Sequence, residues 1–167
     1  MRILNFGSLN LDYCYQVDHF VQPGETILAS AQTVNPGGKG LNQSVALARA
    51  GAETYHAGCV GIAGEMLIDI LRENGVDVSL IVPVQELQGN AVIQVDRTGE
   101  NCILLFGGSN RCISPEQIEK ALEHFDEGDC LLLQNEINNL PLIISCARKK
   151  KMTVVLNPSP FNEKLAQ

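Results

Sequence analysis

The sequence predicts an α/β protein: a parallel β-sheet flanked by helices, with a small antiparallel sheet beside it. Short apolar runs such as Cys130-Leu131-Leu132-Leu133 and Thr153-Val154-Val155-Leu156 have the composition of strands buried on both faces. Segments of helical spacing, such as Leu41, Val45 and Ala48, alternate with those runs. Strand-helix-strand alternation implies parallel pairing through right-handed crossovers. Ala91-Val92-Ile93-Gln94-Val95 and Cys102-Ile103-Leu104-Leu105-Phe106, joined by a turn containing Gly99, read instead as an antiparallel hairpin.

In chain order, Ile3-Leu4-Asn5-Phe6-Gly7 is a buried strand, and Leu11 to Val17 alternates well enough for a second. Pro23-Gly24 turns the chain. A helix follows Gly37-Gly38 and ends at Gly51, which suits the residue just past a helix C-terminus because it tolerates positive φ. Thr54 to Ala57 is a strand, and Met66, Leu67, Ile70 and Leu71 mark a helix that stops at Asn74-Gly75. The 91–95 and 102–106 hairpin comes next. Ser114-Pro115-Glu116-Gln117 combines a capping hydroxyl, proline at the first helical position and Gln at the third, ahead of Ile118, Leu122 and Phe125. Cys130 to Leu133 is a strand, Pro141 to Lys150 a helix with its basic end at the C-terminus, and Thr153 to Leu156 a strand. Another helix is expected to begin after Asn157, and a sheet stopping there has an open edge.

A chain of 167 residues with 45% hydrophobic and 19% charged residues can bury a real core. A formal charge of −7 argues against nucleic acid bound through its phosphates. No apolar run approaches the ~20 residues that span a bilayer, and Met1-Arg2-Ile3-Leu4-Asn5 leads straight into a strand, so a cytoplasmic protein is expected. Cysteines 14, 59, 102, 112, 130 and 146 lack a C-x-x-C pair and read as free, buried thiols, and His19, His56 and His124 lack metal-ligand spacing. Arg148 to Lys151 reads as a solvated helix end.

Ligands of parallel α/β sheets bind beyond the carboxyl ends of the strands. The segments there are polar: Gly7 to Asp12, Gln134-Asn135-Glu136 and Asn157-Pro158-Ser159-Pro160. Before the first long helix, Gly37-Gly38-Lys39-Gly40-Leu41-Asn42-Gln43 offers close backbone approach and free N–H groups. A polyhydroxylated ligand fits, because each hydroxyl both donates and accepts and so calls for carboxylates and amides. Asp12, Asn10, Asn42 and Glu136 supply them, and Lys39 and Asn42, three apart, share a helix face. Each also has an ordinary use: Asp12 as a solvated strand residue, Asn10 and Asn157 in turns, Glu136 as an acid at a helix start. The glycine run is not a P-loop, since Thr33 and Gly40 stand where glycine and Ser or Thr are needed. Gly58, Gly61 and Gly64 follow a strand and precede a helix, but with the wrong spacing for a dinucleotide site. Asn42-Gln43-Ser44 is a glycosylation sequon lying in a helix.

These segments, with Pro23-Gly24-Glu25-Thr26 and Gly107-Gly108-Ser109-Asn110 leading into Ser114-Pro115, resemble in order and type the ribokinase, or pfkB-type carbohydrate kinase, family. The resemblance implies a ribokinase-like (Rossmann-like) parallel sheet with an antiparallel lid made by strands near 11–17, 91–95 and 102–106. Residues 1–167 would be the N-terminal part of a single such domain, its C-terminal half missing. It implies ATP-dependent phosphorylation of a sugar, ribose foremost, at a primary hydroxyl, with ATP and Mg2+ as cofactors of the complete enzyme and a monovalent cation possible. The sugar would be held by Asn10, Asp12, Gly38, Lys39, Asn42 and Glu136. The family's N-x-x-E motif, nucleotide pocket and Gly-Ala-Gly-Asp element with its catalytic base have no counterpart here, so no catalytic residue is assigned and the chain alone is expected to be inactive. A homodimer joined through the lid is implied. Gly61-Ile62-Ala63-Gly64-Glu65 departs from the family's Gly-Asp and longer loop. The alternatives are a non-catalytic sugar-binding or regulatory module, or a kinase for another sugar or a nucleoside.

Overall fold

A computed structural model describes residues 1–161. Five parallel strands form the main sheet in the order β5-β4-β1-β8-β9: β1 (Ile3–Phe6), β4 (Thr54–Ile62), β5 (Asp77–Leu87), β8 (Cys130–Gln134) and β9 (Thr153–Asn157). β1 is central and buried along its whole length, which is why its apolar run is continuous. Helices α3 (Pro115–Glu123) and α4 (Leu140–Lys149) pack Ile118, Leu122, Ile143 and Ala147, with Phe125 just beyond α3, against Leu4, Phe6, Leu131 and Leu133. Helices α1 (Lys39–Arg49) and α2 (Glu65–Glu73) bury Leu41, Leu67 and Leu71 in a second cluster with Leu9, Leu11, Val60 and Val76. Among the described residues β9 pairs only with β8, and the helix expected after Asn157 lies largely outside them.

Local signals acted as expected at the helix ends. Ser114 caps α3 by accepting from the Gln117 N–H at 3.1 Å, and Gly51 and Gly75 follow α1 and α2 with φ of 87° and 79°. Gln117 does not return to the cap. Its side chain is buried, donates to the Gly58 carbonyl at 2.7 Å and accepts from the Cys59 thiol at 3.2 Å, which ties α3 to β4.

The second sheet has four strands in the order β3-β2-β6-β7: β3 (Ala31–Gly37), β2 (Asn10–Gln16), β6 (Asn90–Val95) and β7 (Asn101–Phe106). It is mixed, not antiparallel as the sequence suggested, because β2 and β6 run parallel while the outer pairs are antiparallel. Both inner strands leave the main sheet at the same place, where the Leu11 N–H bonds the Gly89 carbonyl at 3.0 Å, so they travel outward together and β3 and β7 return.

Two strands had escaped the sequence reading. β3 is polar and carries Pro36, which an edge strand tolerates, and β5 alternates only imperfectly. β4 also continues through the glycine run to Ile62. A Cβ on Gly58 would lie 2.7 Å from the Gly7 carbonyl and one on Gly61 2.5 Å from that of Glu86, so these glycines serve close strand packing. All six thiols are free, but only Cys59 is buried; Cys102 and Cys112 are exposed, which corrects the expectation of buried thiols. Cys102 is exposed because β7 is an edge strand open at every position.

Candidate functional site

The loop leaving β1 meets the first turn of α1 so closely that side chains are excluded. Gly7 and Gly40 touch through their backbones, and a Cβ on Gly40 would lie 2.6 Å from the Gly7 carbonyl carbon. Gly38, at φ 94°, presents its Cα edge to Ser8 and Asn10; a methyl there would stand 2.8 Å from the Ser8 carbonyl oxygen. The Leu41 N–H then bonds the Ser8 carbonyl at 3.0 Å, and the Gly40 N–H bonds Ser8 Oγ at 3.2 Å.

Glu136 follows β8 in a turn and starts no helix of its own. Its carboxylate instead faces the N-terminus of α1, where positive backbone charge favours it. Oε2 accepts from Ser8 Oγ at 2.5 Å and from the Lys39 N–H at 3.1 Å, and Oε1 from Lys39 Nζ at 2.6 Å. Asp12 is different. Its carboxylate receives no hydrogen bond from the described residues, and burial first, then the nearby Glu136 charge, push its proton affinity above the usual carboxylate range against the pull of Lys39. A Cβ on Gly37 would collide with it, so that glycine leaves room for the carboxylate.

Asn10, Asp12, Gly38, Lys39, Asn42 and Glu136 all line one cavity of about 330 Å³, within the usual range for small-molecule sites. Asn42 stands at its open side, exposed on α1. Ala91, Ile93, Ile103 and Leu105 of the second sheet form an apolar wall and Pro160 closes one flank, so that sheet is a lid over the polar floor. Asn157 ends β9, and its Oδ1 accepts from the Ser159 N–H at 3.0 Å in the turn that follows. In the sequon Asn42-Gln43-Ser44, the serine is fully buried.

Beneath α1 lies a buried polar chain that sequence reasoning left unassigned. Gln134 Nε2 donates to Asn5 Oδ1 at 2.8 Å, and Asn5 Nδ2 donates to the Gly40 carbonyl at 2.7 Å and to Ser44 Oγ at 2.8 Å. Ser44 Oγ lies 2.8 Å from His56 Nδ1. Burial, opposed by the Gly7 backbone, pushes His56 down to about 4, so the ring is neutral near pH 7 and shares one hydrogen bond with Ser44 Oγ. Ser8, Gly37 and Asn110 were also unassigned, although each lay within or beside a quoted glycine motif.

Carboxylates, amides and an ammonium on one floor under an apolar lid suit a small polyol. The chain is 36% identical over 159 residues to a ribokinase of Haemophilus influenzae, covering 92% of itself and 52% of that protein. It superposes on the crystal structure of ribokinase from Thermotoga maritima with TM-score 0.86 and 35% identity, covering 98% of this chain and 54% of that one. The Arabidopsis thaliana ribokinase complexed with ribose and ATP gives TM-score 0.77 at 26% identity, over 95% and 53% of the two chains. The chain thus spans about half the length of the relatives it matches. The pattern of the pfkB family carbohydrate kinase matches residues 2–167, and the chain belongs to that family.

Proposed function

We propose that this chain is the sugar-binding half of an ATP-dependent pentose kinase, with ribose as the acceptor and a primary hydroxyl as the site of phosphorylation. The observation that carries this reading is the Asp12 carboxylate, half-buried at the cavity and without a protein hydrogen-bond partner among the described residues. Leaving such a group unpaired is costly, and two sugar hydroxyls donating to it would satisfy it. Asn10 and Asn42 read further hydroxyls, Lys39 donates to an oxygen, Gly38 admits the ligand to the helix start, and Glu136 holds Lys39 and the α1 terminus in place.

Phosphoryl transfer also needs neutralised phosphates and a base in line with the acceptor hydroxyl. Among the described residues no three His, Cys, Asp or Glu side chains stand together as a metal site, and of the two acids at the floor Asp12 faces the sugar while Glu136 is committed to Ser8, Lys39 and the start of α1. On the family's pattern we assign ATP, Mg2+ and any monovalent cation to the complete enzyme, of which residues 1–167 would be the N-terminal part of one domain acting in the cytoplasm. No described helix is long and apolar enough to cross a membrane. The unpaired edge of the lid at β7, with Leu104 71% exposed on the face opposite the cavity wall, supports a homodimer joined there.

Calorimetry tests the reading. The chain should bind ribose, and Asp12→Asn should lower the affinity by roughly thirtyfold or more, the loss of charge-assisted bonds, while leaving thermal stability unchanged or slightly higher. A coupled assay with ATP should show turnover more than a hundredfold below that of a full-length relative. Ribose affinity that survives Asp12→Asn within twofold would overturn the assignment of Asp12. Turnover comparable to the relative's would overturn the division of labour, and sugar binding without turnover even in a completed chain would favour a regulatory module.

A further inference from the structure

Four segments meet where the lid joins the main sheet, and Asn110, 2% exposed at a 3-10 turn (Gly108–Arg111), sits among them. Its Oδ1 accepts from the Leu9 backbone N–H at 2.9 Å. A backbone N–H can only donate, so this bond decides which end of the Asn110 amide faces Leu9. Nδ2 is thereby directed to the Leu9 carbonyl at 3.1 Å and to Asn10 Oδ1 at 2.7 Å, which uses both of its hydrogens. Asn10 must present its oxygen to Asn110, because the opposite orientation would set two NH2 groups against each other. Gly89 makes the arrangement possible, since a Cβ there would collide with Asn110 Nδ2 and lie 2.8 Å from Asn10 Oδ1.

What remains of the Asn10 amide is Nδ2. It donates to none of the described residues, yet it is not among the enclosed unpaired atoms, and Asn10 lines the cavity. We propose that Asn110 is a positioning residue that fixes Asn10 as a hydrogen-bond donor to the ligand, so that the site reads one substrate oxygen as an acceptor while Asp12 reads hydroxyls as donors. This rests on the sugar reading of the cavity and deepens it: the polarity of one contact is set by a backbone N–H on the far side of a second amide.

Two experiments test it. In the 15N-labelled chain without ligand, the Asn110 side-chain amide protons should exchange slowly and those of Asn10 rapidly, and ribose should shift the Asn10 pair. Slow exchange at Asn10 with fast exchange at Asn110 would overturn the proposal. In calorimetry with ribose and its monodeoxy analogues, Asn110→Asp and Asn10→Asp should each weaken ribose by about tenfold, yet weaken by less than threefold the one analogue lacking the oxygen that Asn10 contacts. Equal weakening across the panel would reduce Asn110 to a structural role and overturn the proposal. A parent chain that bound no pentose while keeping the exchange pattern would sink the sugar reading and leave the donor polarity of Asn10 standing.

Discussion

The two sheets of this protein are built to opposite specifications. In the main sheet β1 is buried throughout, and Leu4, Phe6, Leu131 and Leu133 are fully enclosed beneath α3 and α4. In the lid, β7 is exposed at all six positions and β3 at five of seven. The main sheet carries its own core. The lid depends on the segments that join it to that core, pinned by Gln88 donating to the Leu9 carbonyl at 2.5 Å, by Ser109 accepting from the Gly89 N–H at 3.3 Å, and by Asn110. Stability therefore resides in one sheet, and the apolar wall of the cavity in the other, where motion costs little burial.

The sharpest break in that contrast is Leu131→Ala. Removing a fully buried side chain from the middle of the main sheet should cost about 3–5 kcal/mol, read as a lower urea midpoint at unchanged m-value.

Acid should weaken the same region by a smaller amount. The folded pKa of His56, about 4, lies below its ordinary 6.5, so the unfolded chain takes up this proton first as pH falls. Its contribution is intact above about 6.5 and declines between 6.5 and 4, by roughly 3 kcal/mol at the lower end. Urea titrations from pH 7 to 4 should show that loss, and His56→Phe should flatten it; an unchanged profile in the variant would show that other groups carry the acid sensitivity.

Gly38→Ala probes the seam between floor and lid. Positive φ and the approach to the Ser8 carbonyl should cost about 1–3 kcal/mol of stability, and ribose affinity should fall by more than stability does. Retained affinity with lost stability would make this glycine purely structural. The smallest effect belongs to the lid rim: Leu104→Ala, at 71% exposure, should change the stability of the monomeric chain by no more than about 0.5 kcal/mol. A larger loss that depends on protein concentration would reveal association through β7.

Where a signal was complete within about ten residues, it could be read without the fold. The cap at Ser114-Pro115, the glycines after α1 and α2, the hairpin of β6 and β7 and the apolar runs of β1, β8 and β9 are of this kind. The six residues around the cavity were legible too, because chemistry was expected at the carboxyl ends of parallel strands and the glycine motif marked one side of it. Edge strand β3 was not, since a strand paired on one side in solvent needs no apolar alternation. The parallel pairing of β2 with β6 was also hidden, because strand direction follows from where each segment leaves the main sheet. The partners of Glu136 and the polarity of Asn10 come from Lys39, Ser8 and Asn110, about a hundred residues away or more along the chain. A hydrogen bond between such distant groups leaves no local periodicity; it exists only once burial has excluded water and left each donor a single acceptor.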